Sequence, residues 1–183
     1  MRFEETNLAG VVLITPDRYD DERGFLARTW ALDEFEAHGL GTRVVQRNVS
    51  YNRRVGTLRG MHFQHQPYSE VKVVSCLVGA IFDVAVDLRP DSATYSQWFG
   101  AELSQENGAL LHVPEGCAHG YLTLAPETTV EYLLSEFYHP EAAGGLRWDD
   151  PFCNIQWPSE PSIVNARDRT WPDFMPDQVG AHS

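Results

Sequence analysis

The sequence is poor in lysine, in cysteine and in long apolar runs. A single lysine, Lys72, stands against thirteen arginines, and the excess of acidic residues gives a formal net charge of −12. A strongly acidic protein repels polyanions, which argues against nonspecific binding of nucleic acid and of anionic membrane surfaces. An anionic ligand must therefore be captured by a local cluster of arginines.

Membrane spans and disulfides are not expected. No apolar run approaches the roughly 18 residues that a membrane helix needs, and the first residues do not form a basic and apolar leader. The three cysteines, Cys76, Cys117 and Cys153, are odd in number and lie in apolar contexts, as is typical of reduced core thiols. We expect a cytoplasmic protein without a catalytic cysteine.

Short apolar segments dominate the pattern of the chain. At 183 residues it is long enough for one full core, and a single domain over residues 1–183 is expected. Only Leu32–His38 has strong helix signals, with acids in its first turn and Gly39 as a stop. The other segments, broken by Gly, Pro and Asn, indicate an all-β sandwich or barrel with short peripheral helices. The predicted strands are 10–14, 25–30, 44–51, 56–64, 71–78, 80–88, 98–103, 110–113, 120–124 and 128–137.

Two segments are predicted to stay outside the sheets. Residues 16–24, dense in aspartate and arginine, have the composition of a loop. The tail from Pro158 is rich in proline and charge, and proline cannot donate to a strand ladder. The tail is therefore expected to wrap the surface without joining a sheet.

The segment Leu58–Gln64 carries the first candidate functional pair. Arg59 supplies a fixed cation and His62 a group that titrates near neutrality, both in an apolar setting, which indicates chemistry on an anionic substrate. Strict strand alternation places the two side chains on opposite faces. A β-bulge at Gly60 would bring both to one site.

Lys72 lies in a nearly apolar strand, on the same face as Val74 and Cys76. If this face points into a barrel, the ammonium group is partly buried and needs an anionic partner or ligand. The alternative is a lysine that reaches water at the mouth of the strand. Because it is the only lysine, we favour a functional role.

The next strand alternates cleanly and sets Asp83, Ala85 and Asp87 on one face. For Asp83, a buried carboxylate paired with Lys72 or a histidine and a solvent-facing carboxylate are equally supported. For Asp87 we favour the solvent-facing alternative, since the strand ends just beyond it at Arg89.

A turn with Pro114 and Gly116 leads into a strand that carries His119, and the next strand carries Tyr132. Together with His62, these residues could supply a base, an electrostatic stabiliser and an acid. The histidines also raise a metal hypothesis with Glu70 as a further ligand. It ranks second, because His62 and His65 point to opposite faces of a regular strand and no His-x-His pair exists.

Several motifs in order along the chain resemble the dTDP-4-dehydrorhamnose 3,5-epimerase family of cupin-like enzymes. The resemblance runs from about residue 10 to residue 172, and the spacing of the motifs makes it specific. The motifs are Arg23-Gly24-Phe25, Val45-Gln46-Arg47-Asn48, Leu58 to Gln64, Lys72, Phe82 to Arg89, Val113 to Gly120, Tyr138-His139-Pro140-Glu141 and Trp148-Asp149-Asp150-Pro151.

The resemblance implies a jelly-roll barrel, a homodimer that exchanges N-terminal strands, no metal or other cofactor, and a nucleotide-linked 4-keto-6-deoxy sugar as substrate. His62 matches the family's base, Asp168 the acid that orients it, and Tyr132 the proton donor on the opposite face of the sugar. Lys72 and His119 match groups around the C4 oxygen. The matched substrate contacts are Arg23 and Arg59 for the diphosphate, Gln46 and Asn48 for the sugar, Tyr138 for the base, and also Phe25 and Arg28.

The residue types agree with that chemistry. Hydrogens at C3 and C5 are acidic only because the C4 ketone holds negative charge as an enolate, so a base and a cation at the ketone oxygen are required. Inversion then needs an acid across the ring, and His62, Lys72 and Tyr132 meet these needs.

The chain departs from the family pattern at two positions. It has Arg28 where members commonly carry glutamate, and Ala143 where they carry another acid, both at the nucleotide end of the ligand. The predicted function is cofactor-independent epimerisation at C3, C5 or both carbons of a nucleotide-linked 4-dehydro-6-deoxy hexose. The nucleotide, the exact sugar and the pathway stay open. The alternatives are a metal-dependent cupin enzyme, such as a dioxygenase or isomerase, and a noncatalytic carbohydrate-binding barrel.

Overall fold

A computed structural model describes residues 1–41 and 43–175 of the chain. The last residues of the predicted single domain, 176–183, lie outside the described residues. The elements in chain order are β1 (Arg2–Glu5), β2 (Val12–Thr15), β3 (Arg18–Asp21), β4 (Gly24–Ala27), α1 (Leu32–Ala37), β5 (Gln46–Asn52), β6 (Thr57–Gln64), β7 (Lys72–Val78), β8 (Ala80–Asp87), β9 (Trp98–Ser104), β10 (Leu110–Val113), β11 (Cys117–Thr123), β12 (Thr128–Leu134), β13 (Ala143–Gly145), β14 (Ile163–Val164) and α2 (Ala166–Arg169).

Two large sheets face each other as a jelly-roll sandwich. The first has the strand order β1-β2-β10-β7-β12-β5 and the second β13-β6-β11-β8-β9, with β14 added in parallel to β6. Inward side chains of both sheets, among them Val74, Val130, Ala85 and Tyr121, form one buried cluster between them. The predicted all-β fold is confirmed, and alternation of side chains along each strand produces this core.

Each sheet also buries part of its outer face. Helix α1 covers one end of the first sheet through Phe35, which packs against Ile14 and Val73. The C-terminal segment covers the second sheet, where Cys153 and Ile155 pack against strand residues. The three cysteines are free and buried, as predicted.

Most predicted strands form close to their expected bounds, but two predictions about irregular segments are wrong. The segment 16–24 contains β3, which pairs with β4 in a two-stranded hairpin. The tail joins the second sheet through Ile163–Val164, which pairs with Thr57 and Leu58 of β6. Backbone pairing stabilises both strands. Neither has the alternating apolar pattern from which a strand could be predicted.

The prediction for Asp87 is also wrong, because its side chain is fully buried. Its carboxylate accepts hydrogen bonds from Arg89, Ser92 and Thr94. Burial raises the pKa of Asp87, but these hydrogen bonds outweigh it and lower the pKa to about 2. Asp87 thus holds the turn after β8 together.

Candidate active site

A cavity of about 750 Å³ is lined by residues of both large sheets. The first sheet contributes strands β5, β7 and β12, and the second contributes β6, β11 and β13. Most of the side chains singled out by the sequence reach this cavity. They are Gln46, Asn48, Arg59, His62, Lys72, His119, Tyr132, Tyr138 and Asp168.

A β-bulge allows Arg59 and His62 to line the same cavity. Opposite the span His119 to Tyr121 of β11 lies the longer span Arg59 to His62 of β6, so β6 carries one extra residue. Gly60 has a φ of +133°, and a Cβ there would lie 2.6 Å from the Cα of Gly120. Only glycine fits this backbone approach, and the predicted bulge at Gly60 is confirmed.

His62 forms a dyad with Asp168. Its Nε2 lies 2.7 Å from Asp168 Oδ1, while Asp168 Oδ2 accepts the backbone N–H of Gly60 at 3.2 Å. Burial raises the pKa of Asp168, but the hydrogen bonds from His62 and Gly60 and the charge of His62 outweigh it, so the pKa lies below its ordinary value. The carboxylate therefore stays ionised and holds the Nε2–H, which leaves Nδ1 of His62 to accept a proton.

Asp168 reaches the cavity because of the tail that pairs with β6. Asn165 caps the short helix α2, and its side chain accepts the backbone N–H of Asp168 at 2.8 Å. Strand β14 lies just before this cap and is hydrogen-bonded to the base-bearing strand. Strand pairing and helix capping together fix the carboxylate beside His62.

The side chain of Lys72 extends from β7 of the first sheet to β6 of the second. Its Nζ donates to the backbone oxygen of His62 at 2.9 Å and forms an ion pair with Glu70 at 2.9 Å. Both side chains are largely buried. The predicted anionic partner exists, and it is Glu70. An ammonium group has three N–H donors, so one is left for a ligand oxygen.

His119 forms a second dyad, deeper in the sandwich. Its Nε2 lies 2.8 Å from Asp83 Oδ1, and the Asp83 side chain is fully buried. Burial raises the pKa of Asp83 above its ordinary value, and the nearby His119 and Lys72 only partly offset this effect. Of the two alternatives for Asp83, the structure selects the buried carboxylate paired with a histidine.

Tyr132 stands on the first sheet, across the cavity from the strand of His62. It pairs with Asn48 on one side and with Val74 on the other. Burial and the neighbouring Tyr121 and Asp83 raise its pKa well above the ordinary value of 10.0. The phenol is therefore protonated at neutral pH and can act only as a proton donor.

Three arginines surround the cavity of this acidic protein, as its composition requires for capture of an anion. Arg59 donates from Nε to Asn52 Oδ1 at 2.8 Å, and Arg47 is paired with Glu131. Arg167, adjacent to Asp168, also lines the cavity. Their guanidinium groups can contact the oxygens of a phosphate ester.

Three predicted substrate contacts lie away from this cavity in the single chain. Arg23 pairs with Asp21, and the Phe25 ring lies 4.3 Å from the guanidinium of Arg18. Arg28 pairs with Glu34. Arg23 and Phe25 belong to the β3–β4 hairpin and Arg28 directly follows it, and all three side chains are largely solvent-exposed.

Sequence reasoning missed Tyr121, Arg167 and the pairing of Glu70 with Lys72. Tyr121 follows His119 by two residues on β11, so strand alternation was a signal that could have found it. Arg167 precedes Asp168 in the tail, whose fold carried no sequence signal.

Among the described ranges 1–41 and 43–175, no group of three or more His, Cys, Asp or Glu is arranged to hold a metal ion. Neither described helix is long and apolar enough to cross a membrane.

Comparisons with known proteins agree over nearly the whole chain. The family model for dTDP-4-dehydrorhamnose 3,5-epimerase matches residues 5–175. A protein of this name from Methanothermobacter thermautotrophicus is 46% identical over 181 residues, covering 97% of each chain. Another from Sinorhizobium fredii is 42% identical, covering 95% of this chain and 90% of its own. The crystal structure of the Bacillus anthracis enzyme with TDP and PPi bound is 40% identical with a TM-score of 0.91, covering 94% of this chain and 99% of that one.

Proposed function

Because the chain belongs to the dTDP-4-dehydrorhamnose 3,5-epimerase family, we propose a reaction path for it that uses the side chains of the cavity. The protein is an epimerase that inverts C3, C5 or both carbons of a nucleotide-linked 4-dehydro-6-deoxy hexose. The comparisons support this interpretation over the metal-dependent cupin and the noncatalytic barrel. The roles of individual residues below are our proposal.

One observation carries the proposed mechanism: the base and the acid stand on opposite sheets. His62 lies on β6 of the second sheet and Tyr132 on β12 of the first, and both line one cavity. Inversion at carbon requires that a proton leave from one face of the sugar ring and return to the other. A ring bound between the two sheets presents one face to each residue.

His62 removes the proton through Nδ1. Asp168 accepts the Nε2–H, keeps the imidazole in the required tautomer and stabilises the imidazolium that forms. The side chain of His62 is 44% exposed, while that of Asp168 is fully buried. The base can thus reach a ligand, whereas its partner is protected from water.

The electrons left on carbon move into the C4 carbonyl, and Lys72 stabilises the resulting enolate oxygen. Its ammonium group is fixed by Glu70 and by the carbonyl of His62, so it needs no reorganisation during the reaction. His119, held by Asp83, is the second group at this oxygen. Tyr132 then donates its proton to the opposite face of the carbon.

The nucleotide diphosphate occupies the arginine-lined part of the cavity in our proposal. Arg59 contacts the diphosphate, Gln46 and Asn48 contact the sugar, and Tyr138 stacks on the base. Bound TDP and PPi in the Bacillus anthracis relative support a nucleotide diphosphate as the ligand class. Gln46 Nε2 donates to Asn48 Oδ1 at 3.1 Å, which orients the two amides toward the cavity.

Proton exchange with solvent tests the function directly. The protein is incubated with dTDP-4-dehydro-6-deoxy-glucose in deuterated water, and label at C3 and C5 is followed by NMR. We expect incorporation at one or both carbons, and the labelled positions define which of them is inverted. Ligand binding without any incorporation would show a binding protein and contradict the proposal.

We further propose that the protein acts as a homodimer in the cytoplasm, each chain lending its β3–β4 hairpin to the other. Tyr19 and Leu26 of the hairpin are exposed. Strand β5, at the edge of the first sheet, exposes Val49 and Tyr51. An open sheet edge with apolar side chains favours pairing with another chain, and an exchanged hairpin would bring Arg23, Phe25 and Arg28 to the partner's cavity.

Mixing of two inactive variants tests the exchange. Arg23→Ala and His62→Asn subunits are prepared separately, then dissociated and reassociated together. If each site takes His62 from one chain and Arg23 from the other, the mixed dimers contain one intact site and activity returns. Sedimentation equilibrium is run in parallel. A monomeric protein, or a mixture as inactive as its components, would refute the exchanged dimer.

A further inference from the structure

Tyr121 is a buried phenol next to the proposed proton donor, with no role in the mechanism above. Its side chain is fully buried, and its ring centroid lies 6.3 Å from that of Tyr132. The Tyr121 phenol also contributes to the raised pKa of Tyr132. A phenylalanine could fill the same apolar space, so the hydroxyl group calls for a separate explanation.

The Tyr121 hydroxyl continues into a polar chain that leads to β5. It lies 3.0 Å from Ser50 Oγ and accepts from Asn52 Nδ2 at 3.1 Å. Ser50 is partly buried on the edge strand of the first sheet, and it lines the β5 side of the cavity. Hydroxyl groups both donate and accept, so the adjacent phenols of Tyr132 and Tyr121, followed by the Ser50 hydroxyl, are placed in order to pass a proton.

The proposed reaction creates a need for such a path. Each inversion moves one proton from the substrate to His62 and one from Tyr132 to the substrate. It leaves an imidazolium and a phenolate, and Tyr132 must regain a proton before it can act again. A sugar seated in the cavity covers Tyr132 on that side, and burial makes the phenolate strongly basic.

We propose that Tyr121 and Ser50 relay a proton from water at the β5 side of the cavity back to Tyr132. The O–H bond of Tyr121 breaks as that of Tyr132 forms, and the O–H bond of Ser50 breaks as that of Tyr121 is restored. Ser50 takes its proton from water, His62 releases one to solvent, and no electrons are transferred. The inference rests on the proposed function and adds two positioning residues to it.

If the relay operates, Tyr121→Phe and Ser50→Ala should slow the later turnovers but not the first one. With rapid mixing, the first proton transfer should stay within about twofold of the parent, because His62 and a protonated Tyr132 are both in place. Steady-state turnover should fall about tenfold or more, since general acid–base steps of this kind contribute factors of about 10² to 10⁴. Both variants should therefore show a burst of product in the first turnover, followed by a slower steady state.

Small buffer acids provide a second readout. They can reprotonate Tyr132 when the cavity is empty, so the steady-state rate of both variants should rise with buffer concentration, while that of the parent should not. Tyr68→Phe is the matched control, because it removes a phenol hydroxyl from a ring that stacks on His139, outside the residues that line the cavity. Thermal melting verifies that each variant is folded.

The outcomes are distinct. Steady-state rates within about twofold of the parent, without a burst, overturn the relay. An equal fall in the first turnover and the steady state also overturns it, because Tyr121 would then act only on the shape of the site. If the parent itself incorporates no deuterium, the proposed function fails and the relay fails with it. If Tyr121→Phe does not fold, Ser50→Ala, which removes one hydroxyl from a partly buried strand position, tests the relay by itself.

Discussion

The cavity contains two histidine–aspartate pairs of nearly equal geometry in different surroundings. His62 lies 2.7 Å from Asp168, and His119 lies 2.8 Å from Asp83. In the first pair the imidazole is 44% exposed, and in the second it is 5% exposed. Both carboxylates are fully buried, yet their pKa values shift in opposite directions.

Burial raises the pKa of both carboxyl groups, and hydrogen bonds and charges outweigh it only at Asp168, where the second oxygen is also bonded. Asp168 Oδ2 accepts a backbone N–H from Gly60. Asp83 Oδ2 is buried without a hydrogen-bond partner in the part of the chain that the structure describes. A buried carboxylate is stabilised only when donors replace the water it loses. The pair with a satisfied carboxylate is thus suited to orient a base, and the pair without one is suited to a fixed electrostatic environment.

The largest expected effect separates the two histidines. His62→Asn should abolish deuterium incorporation, a fall of about 10⁴-fold, since the base is removed. His119→Asn should cost about 10²-fold, because it removes only one donor at the enolate oxygen. His65→Asn, directly after the strand that carries His62 and outside the cavity lining, is the control. Full exchange in His62→Asn would show that the base has been misassigned.

Lys72 connects the two pairs, and its removal should have the next largest effect. It donates to the carbonyl of His62 and its charge lowers the pKa of Asp83. Lys72→Met should lower kcat by about 10² to 10³-fold, the range found when an oxyanion donor is removed. Glu70→Gln keeps the lysine and should lose about tenfold or less. Equal losses in the two variants would place the effect in the ion pair rather than in the ammonium group.

Replacing the carboxylates should move stability in opposite directions. Asp168→Asn removes a stabilised charge that accepts two hydrogen bonds, and the free energy of unfolding at pH 7 should fall by about 1–3 kcal/mol. Asp83→Asn removes a charge that burial disfavours, and the protein should stay within about 1 kcal/mol of the parent or become more stable. Urea denaturation of both variants measures the difference. Destabilisation of similar size in both would contradict the distinction drawn between the pairs.

The same carboxylates should give a smaller, pH-dependent signature. A carboxylate with a lowered pKa stabilises the fold above its unfolded value of 3.8, and this stability is lost as the pH falls through the folded value. A raised pKa has the reverse sign, so Asp83 disfavours the folded state above pH 3.8. As the pH falls, the advantage of Asp83→Asn over the parent should shrink toward pH 3.8, and the deficit of Asp168→Asn should shrink below pH 3.8. Differences that do not change with pH would mean that neither charge is responsible.

The base-bearing strand was largely predictable from local pattern. The local pattern predicted a strand over 56–64, and a bulge at Gly60 was the hypothesis that would bring Arg59 and His62 together. Alternation also grouped Lys72 with Val74 and Cys76 on one face and Asp83 with Ala85 and Asp87 on another, but it did not show which faces point inward. These inferences hold because strand geometry fixes side-chain direction residue by residue.

The position of Asp168 was not predictable from pattern. Its segment is polar and rich in proline, and it forms a strand only because β6 offers a free backbone edge to Ile163–Val164. The hairpin strand Arg18–Asp21 likewise has no apolar residue pattern and exists through its pairing with β4. Backbone hydrogen bonds between distant segments leave no trace in local composition.

By itself, the sequence determined the all-β fold, the candidate base, cation and acid, and the need for arginines to capture an anion in a protein of net charge −12. Only the tertiary structure decided that Glu70 partners Lys72, that Asp83 and Asp87 are buried, and that the Tyr121 ring lies beside the Tyr132 ring. It also set the opposite pKa shifts of Asp83 and Asp168. Residue types and alternation depend on neighbours along the chain, whereas burial and hydrogen-bond partners depend on the packing of distant segments.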